Sequence, residues 1–145
     1  MAKQKFVVIG GAGSMGRITV TDLVKTAPDN VEILIADYDI NRAKKLAESF
    51  NDHRVSACVV DVRNRSSTVK ALDQASVVIN AVQYEYNIAV MEAALDVRAH
   101  YVDLGGLFHI TRKQLALDHR FKAIGRLAIV GMGAAPGTTN ILARW

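Results

Sequence analysis

Phe6-Val7-Val8-Ile9-Gly10-Gly11-Ala12-Gly13-Ser14-Met15-Gly16-Arg17 decides the reading of this chain. A β-branched apolar run ends in glycines, and a helix-forming stretch follows. Gly11, Gly13 and Gly16 fall in the frame G-x-G-x-x-G. In that frame the first glycine allows the tight turn out of the strand. The second lets a pyrophosphate approach the backbone, and the third lets the helix lie close on the strand. Ser14 and Met15 stand at the predicted helix start, where free N–H groups and the positive dipole end favour an anion. Glycines that merely make a turn are the competing reading. Against it stands the next apolar run, Glu32-Ile33-Leu34-Ile35-Ala36, which closes on Asp37. That acid lies roughly 20 residues past the last glycine, where a ribose-binding carboxylate belongs.

The totals bound the class. The chain has 145 residues, 50% of them hydrophobic and 22% charged, which suits one domain with a real core. No apolar run is long enough to span a bilayer, so no membrane partner is expected. Met1 to Lys5 lead straight into the first strand and leave no room for a signal peptide. The single Cys58 cannot form an internal disulfide and is expected to be a small core residue. Both features predict a cytoplasmic protein. The net charge of +4 is spread over single and paired Lys and Arg, with no basic run and only 6% aromatic residues. Nucleic acid is therefore not an expected partner.

Strand-like and helix-like segments alternate along the chain. Strands are predicted at Lys5 to Gly10, Val31 to Ala36, Val55 to Val60, Ser76 to Ala81, Ala99 to Leu104 and Arg126 to Val130. Helices are predicted at Gly13 to Lys25 and Ile40 to Phe50. A short one is capped by Ser66 or Ser67 and runs through Leu72. Others are predicted at Asn87 to Val97 and, capped by Thr111, at Arg112 to Ile124, with a start at Thr138. Met15, Ile18, Val20, Leu23 and Val24 are expected to face the core from the first helix, and Asp39 to cap the second. Such alternation predicts an α/β protein with a doubly wound parallel six-stranded sheet, the Rossmann fold, in strand order 3-2-1-4-5-6.

In that fold ligands bind outside the carboxyl ends of the strands. The second strand ends in Asp37-Tyr38. A carboxylate there accepts from ribose hydroxyls and repels a 2′-phosphate. The cation that NADP wants after this strand is missing, since Tyr38 takes its place and Arg42 lies on the next helix. NAD is therefore favoured over NADP. Asp61-Val62, after the third strand, flank the expected adenine position, although Asp61 also reads as a turn-capping residue. Asn80-Ala81, after the fourth, let the nicotinamide ribose lie on backbone, although Asn80 also reads as a loop cap. Asp103 ends the fifth beside Gly105 and Gly106, and Gly133 lies in a second glycine loop after the sixth. Asp103 and Tyr84 are the candidate substrate-side, catalytic residues. Tyr84 reads equally as an amphipathic side chain covering a loop. The four histidines lack metal spacing, so no metal site is expected. Tyr-x-x-x-Lys, which short-chain dehydrogenases require, is missing after Tyr38, Tyr84, Tyr86 and Tyr101.

Val77-Val78-Ile79-Asn80-Ala81, Tyr84, Asn87, Tyr101 to Gly106 and Ala135-Pro136-Gly137 with Asn140-Ile141-Leu142 resemble the saccharopine dehydrogenase-like family. Its lysine 6-dehydrogenase-like branch is the most similar. The resemblance implies an N-terminal NAD(P)-binding domain, residues 1–145, of a longer enzyme. Such enzymes oxidise or reduce a C–N bond of an amino acid such as lysine or saccharopine, and usually form homodimers. A nucleotide-sensing regulatory domain without catalysis is the rival expectation. The glycine loop and Asp37 would serve a sensor as well, whereas Asp103 and the second glycine loop would not be needed.

Overall fold

The computed structural model describes residues 3–144. Strands β1 (Gln4–Ile9), β2 (Val31–Asp37), β3 (Val55–Val59), β4 (Val77–Asn80), β5 (His100–Asp103) and β6 (Ala128–Ile129) pair in parallel. Their order is β3-β2-β1-β4-β5-β6, the predicted doubly wound sheet. Between them run helices α1 (Gly16–Thr26), α2 (Ile40–Ser49), α3 (Arg65–Ala71), α4 (Asn87–Asp96), α5 (Phe108–Leu115) and α6 (Asp118–Ala123), with α7 (Thr138–Leu142) last. The order reverses between β1 and β4, so their diverging connections open a crevice at their carboxyl ends.

Period-two alternation assigns each strand residue to one face. Val8, Ile33 and Ile35 pack with Val20 of α1 and Ala43 of α2 on one side. Val7, Ile9, Val78 and Tyr101 pack with Leu72, Val90, Met91 and Phe121 on the other. Val7, Val8 and Ile9 are fully buried, each contributing about 1.5–3 kcal/mol by leaving water. Central β1 is thus the anchor from which the glycine loop departs.

Several local expectations change. The first helix starts at Gly16, because residues 10–15 are spent on the loop. Met15 and Ile18 are consequently exposed at 52% and 59%, and only Val20, Leu23 and Val24 supply the inward stripe. Asn64, not Ser66 or Ser67, caps α3, its Oδ1 accepting from Ser67 N. Ser67 Oγ instead accepts from Asp61 N. Thr111 caps nothing. It lies inside α5, which begins at Phe108, and its hydroxyl donates back to Leu107 O. The predicted single helix breaks into α5 and α6 around Ala116-Leu117. Asp39 caps α2 as expected, accepting from Asn41 N and Arg42 N. Cys58 is half-buried, and burial pushes its thiol pKa up. Among the described residues, no helix is long and apolar enough to cross a membrane.

Candidate cofactor site

The loop after β1 is built by four glycines rather than three. Gly10, not Gly11, makes the turn: its φ is +71°, and a Cβ there would meet Val82 Cγ1 at 2.8 Å. Gly11 instead permits close packing, since a Cβ would lie 2.9 Å from Val8 O. Gly16 lets α1 sit on the loop, where a Cβ would come within 2.1 Å of Gly10 O. Gly13 is different. Its Cβ would meet only Gly10 O, at 3.1 Å, so the missing side chain leaves space in front of the loop. Among the described residues the N–H groups of Ser14, Met15 and Gly16 donate to no protein acceptor. Ser14 and Met15 are exposed. Three free donors at the first turn of an eleven-residue helix form an anion cradle.

The acid of β2 braces this loop. Asp37 Oδ2 accepts from Ala12 N at 2.9 Å and Oδ1 from Asp39 N at 3.0 Å. Arg42 reaches back from α2, and its Nη2 donates to Ala12 O at 3.0 Å. Ala12 is thus clamped through both its amide and its carbonyl. Asp37 still lines the adjoining cleft of about 290 Å³, together with Tyr38, Asp61 and Val62. Ile9, Val60 and Val82 complete an apolar floor. The Arg63 side chain enters the same cleft from the loop after β3. Its Nε and Nη2 donate to Asp61 Oδ1 and Oδ2 at 2.9 and 2.8 Å, and its guanidinium carbon lies 5.3 Å from the Tyr38 ring centroid. The hydrogen bond from Arg63 holds the Asp61 carboxyl below its ordinary pKa.

Asn80 and Asp103 sit under the surface, joined by one polar network. Asn80 Nδ2 donates to Asn87 Oδ1 at 2.9 Å and to Tyr101 Oη at 3.1 Å, and Asn80 Oδ1 accepts from Val82 N. What Asn80-Ala81 present to the crevice is therefore backbone, with the Asn80 side chain capping from below. Asp103 is fully buried. Its Oδ1 accepts from Gly105 N at 2.8 Å and Gly131 N at 2.9 Å; its Oδ2 accepts from Tyr101 Oη at 3.0 Å and from Gln114 Nε2. Burial, followed by the Asp103 charge, keeps the Tyr101 phenol protonated well above its ordinary pKa. With four donors on it and no exposed surface, the carboxylate of Asp103 anchors the loops that leave β5 and β6.

Tyr84 begins a single 3-10 turn, Tyr84–Tyr86, and its Cβ lies where a Gly106 side chain would be, 2.6 Å from the ideal Cβ. It covers the β5 loop as a half-buried residue. Gly133 packs on the same loop, since a Cβ would stand 2.2 Å from Leu104 O. Three residues escaped the sequence reading. Gly10 could have been found from the glycine doublet. Arg63 and Gln114 carry no local signal, because only the packing of neighbouring elements brings them to Tyr38 and Asp103.

These residues fit a dinucleotide. The cradle of free amides suits a pyrophosphate, Asp37 suits a ribose hydroxyl, and the cleft beyond it offers an apolar slot of adenine character. Comparison with known proteins agrees. Residues 6–129 match the family model described as the saccharopine dehydrogenase NADP-binding domain. A carboxyaminopropylagmatine dehydrogenase from Synechocystis sp. is 27% identical over 144 residues, covering 93% of this chain and 36% of that protein. A carboxynorspermidine synthase from Vibrio cholerae is 25% identical, covering 93% of this chain and 37% of that protein. The chain thus spans about a third of the length of these relatives. Apo saccharopine dehydrogenase (L-Glu forming) from Saccharomyces cerevisiae shares the fold. Its TM-score is 0.81 at 21% identity, over 97% of this chain and 29% of that one.

Proposed function

Because this chain belongs to the saccharopine dehydrogenase NADP-binding domain family, we propose that it is the N-terminal, dinucleotide-binding part of a longer dehydrogenase. The whole enzyme would act on a C–N bond of an amino acid of the lysine or saccharopine type. The single observation carrying the binding half of this reading is the row of free amides at Ser14, Met15 and Gly16 in front of an open Gly13. Support for the reaction class comes from the two relatives, both named for carboxylated amines.

A bound nicotinamide dinucleotide would supply the hydride acceptor or donor. This chain's own residues bind and orient. The cradle amides would take the pyrophosphate, and Asp37 a hydroxyl of the adenine ribose. The backbone of Asn80-Ala81 would support the second ribose. Asp103, fully buried in this chain, would hold the loops at Gly105 and Gly131 in position as one wall of the reacting site. Tyr84 stands at that wall's edge. Asp37 supports NAD as a ligand; NADP requires a cation to offset this carboxylate.

Support for a further domain comes from apolar side chains left exposed on α5, beside short β6 and on α7. Phe108 is 77% exposed, and Leu115, Leu127, Met132 and Ile141 exceed half. The complete protein is proposed to be a homodimer, by the family resemblance alone, and cytoplasmic, by the lone Cys58. Fluorescence titration of the chain with NADH and with NADPH tests the binding reading. Saturable binding of at least one is expected, and binding of neither would end it.

A further inference from the structure

The sequence offers no cation directly after β2, where a 2′-phosphate would lie. The tertiary structure supplies one from elsewhere. Arg63 follows β3, the neighbour of β2 in the sheet, and its guanidinium comes over the ring of Tyr38, the residue next to Asp37. Tyr38 is 69% exposed, and Arg63 and Asp37 line the same cleft. Two of the Arg63 nitrogens are engaged by Asp61, whose side chain is half-buried, while the Arg63 side chain is 60% exposed. An exposed guanidinium held by a single carboxylate is open to exchange with a ligand anion. A phosphate dianion is a stronger bidentate partner for the same planar fork.

Resting on the cofactor reading above, we propose that Arg63 is the residue that admits the 2′-phosphate of NADP. It would do so by exchanging its bond to Asp61 for bonds to the phosphate, with Tyr38 as the platform that holds its guanidinium at the ribose edge. Asp37 remains available to a ribose hydroxyl, so the site takes NAD without this exchange and NADP with it. Arg42 does not line this cleft; it turns instead to the glycine loop, where its Nη2 donates to Ala12 O. Asp61 thereby acts as an intramolecular stand-in for the ligand phosphate, competing for the fork.

The test compares 2′,5′-ADP with 5′-AMP by calorimetric titration of the 145-residue chain, in wild type, Arg63→Gln and Asp61→Asn. Arg63→Gln should weaken 2′,5′-ADP at least about tenfold and 5′-AMP by less than about threefold. Asp61→Asn keeps an acceptor for Arg63 N and removes the competing charge. It should strengthen 2′,5′-ADP several-fold and change 5′-AMP by less than about threefold. Equal losses for both nucleotides in Arg63→Gln, or no gain in Asp61→Asn, would overturn the assignment of Arg63 while leaving the nucleotide site standing. Failure of wild type to bind either nucleotide would overturn the site as well.

Discussion

Gly131 N donates to Asp103 Oδ1 at 2.9 Å, across 28 residues of chain, and Gly105 N donates to the same oxygen at 2.8 Å. One buried carboxylate thus fixes the relative position of the loops that leave β5 and β6. Replacing it by alanine strands two backbone amides, the Tyr101 hydroxyl and the Gln114 amide. Unsatisfied buried donors cost roughly 1–3 kcal/mol each, partly relieved by relaxation. We expect Asp103→Ala to lose about 3 kcal/mol or more of stability by urea denaturation. Asp103→Asn should lose clearly less, because Gln114 can turn its amide to accept from the new NH2 group. Equal stability of wild type and Asp103→Ala would remove the anchoring role.

The glycines of the first loop should separate by assay. A Cβ at Gly13 meets a single oxygen at 3.1 Å, whereas one at Gly16 would stand 2.1 Å from Gly10 O. Gly13→Val should therefore fold nearly as the wild type and lose NADH binding, its methyls lying where the pyrophosphate belongs. Gly16→Val should lower the melting temperature sharply, since α1 must move off the loop. A Gly13→Val protein with the wild-type NADH titration curve would place the phosphates elsewhere.

Asp52 is a contributor to acid stability whose partners are well defined. Arg54 binds Asp52 through Nε and Nη2 and also donates to Val24 O and Ala27 O, tying the start of β3 to the end of α1. The Arg54 hydrogen bonds hold the Asp52 pKa at about 2, down from 3.8. A lowered carboxyl pKa stabilises the fold above the unfolded value and loses that contribution as pH falls through the folded one. Asp52→Asn should thus be less stable than wild type at neutral pH, and the gap in urea midpoint should close as pH falls from about 4 to about 2. A gap that stays constant over this range would show that the ion pair does not couple to folding.

Binding and turnover should part in the 145-residue chain. Its loops form one wall around the expected nicotinamide position. Hydride transfer also needs the substrate held in attack geometry and water kept out. We expect no NADH formation with lysine or saccharopine, although the nucleotide binds. Turnover at an ordinary enzymatic rate, about 1 per second or faster, would make the chain a complete catalyst.

Much of the architecture was legible because it is written locally. Alternating β-branched runs, turn clusters and the glycine frame each depend on residues a few positions apart, so the strand order and the place of the crevice follow from Val7, Gly16 and Asp37 read in sequence. Helix boundaries were less legible where the true cap lay two to four residues earlier, as Asn64 replaced the serines and Leu107 preceded Thr111. The tertiary structure alone decided the rest. Asp103 read as a substrate-side acid at a strand end, yet Gln114 of α5 and Gly131 after β6 converge on it, beside Tyr101 of its own strand, from elements that sequence spacing cannot bring together. Tyr38 looked like the absence of a cation, yet adjacency of β2 and β3 puts Arg63 over its ring. Whether a side chain is buried and what charge faces it depend on which strands and helices are neighbours, and that is a property of the packed sheet rather than of any one segment of chain.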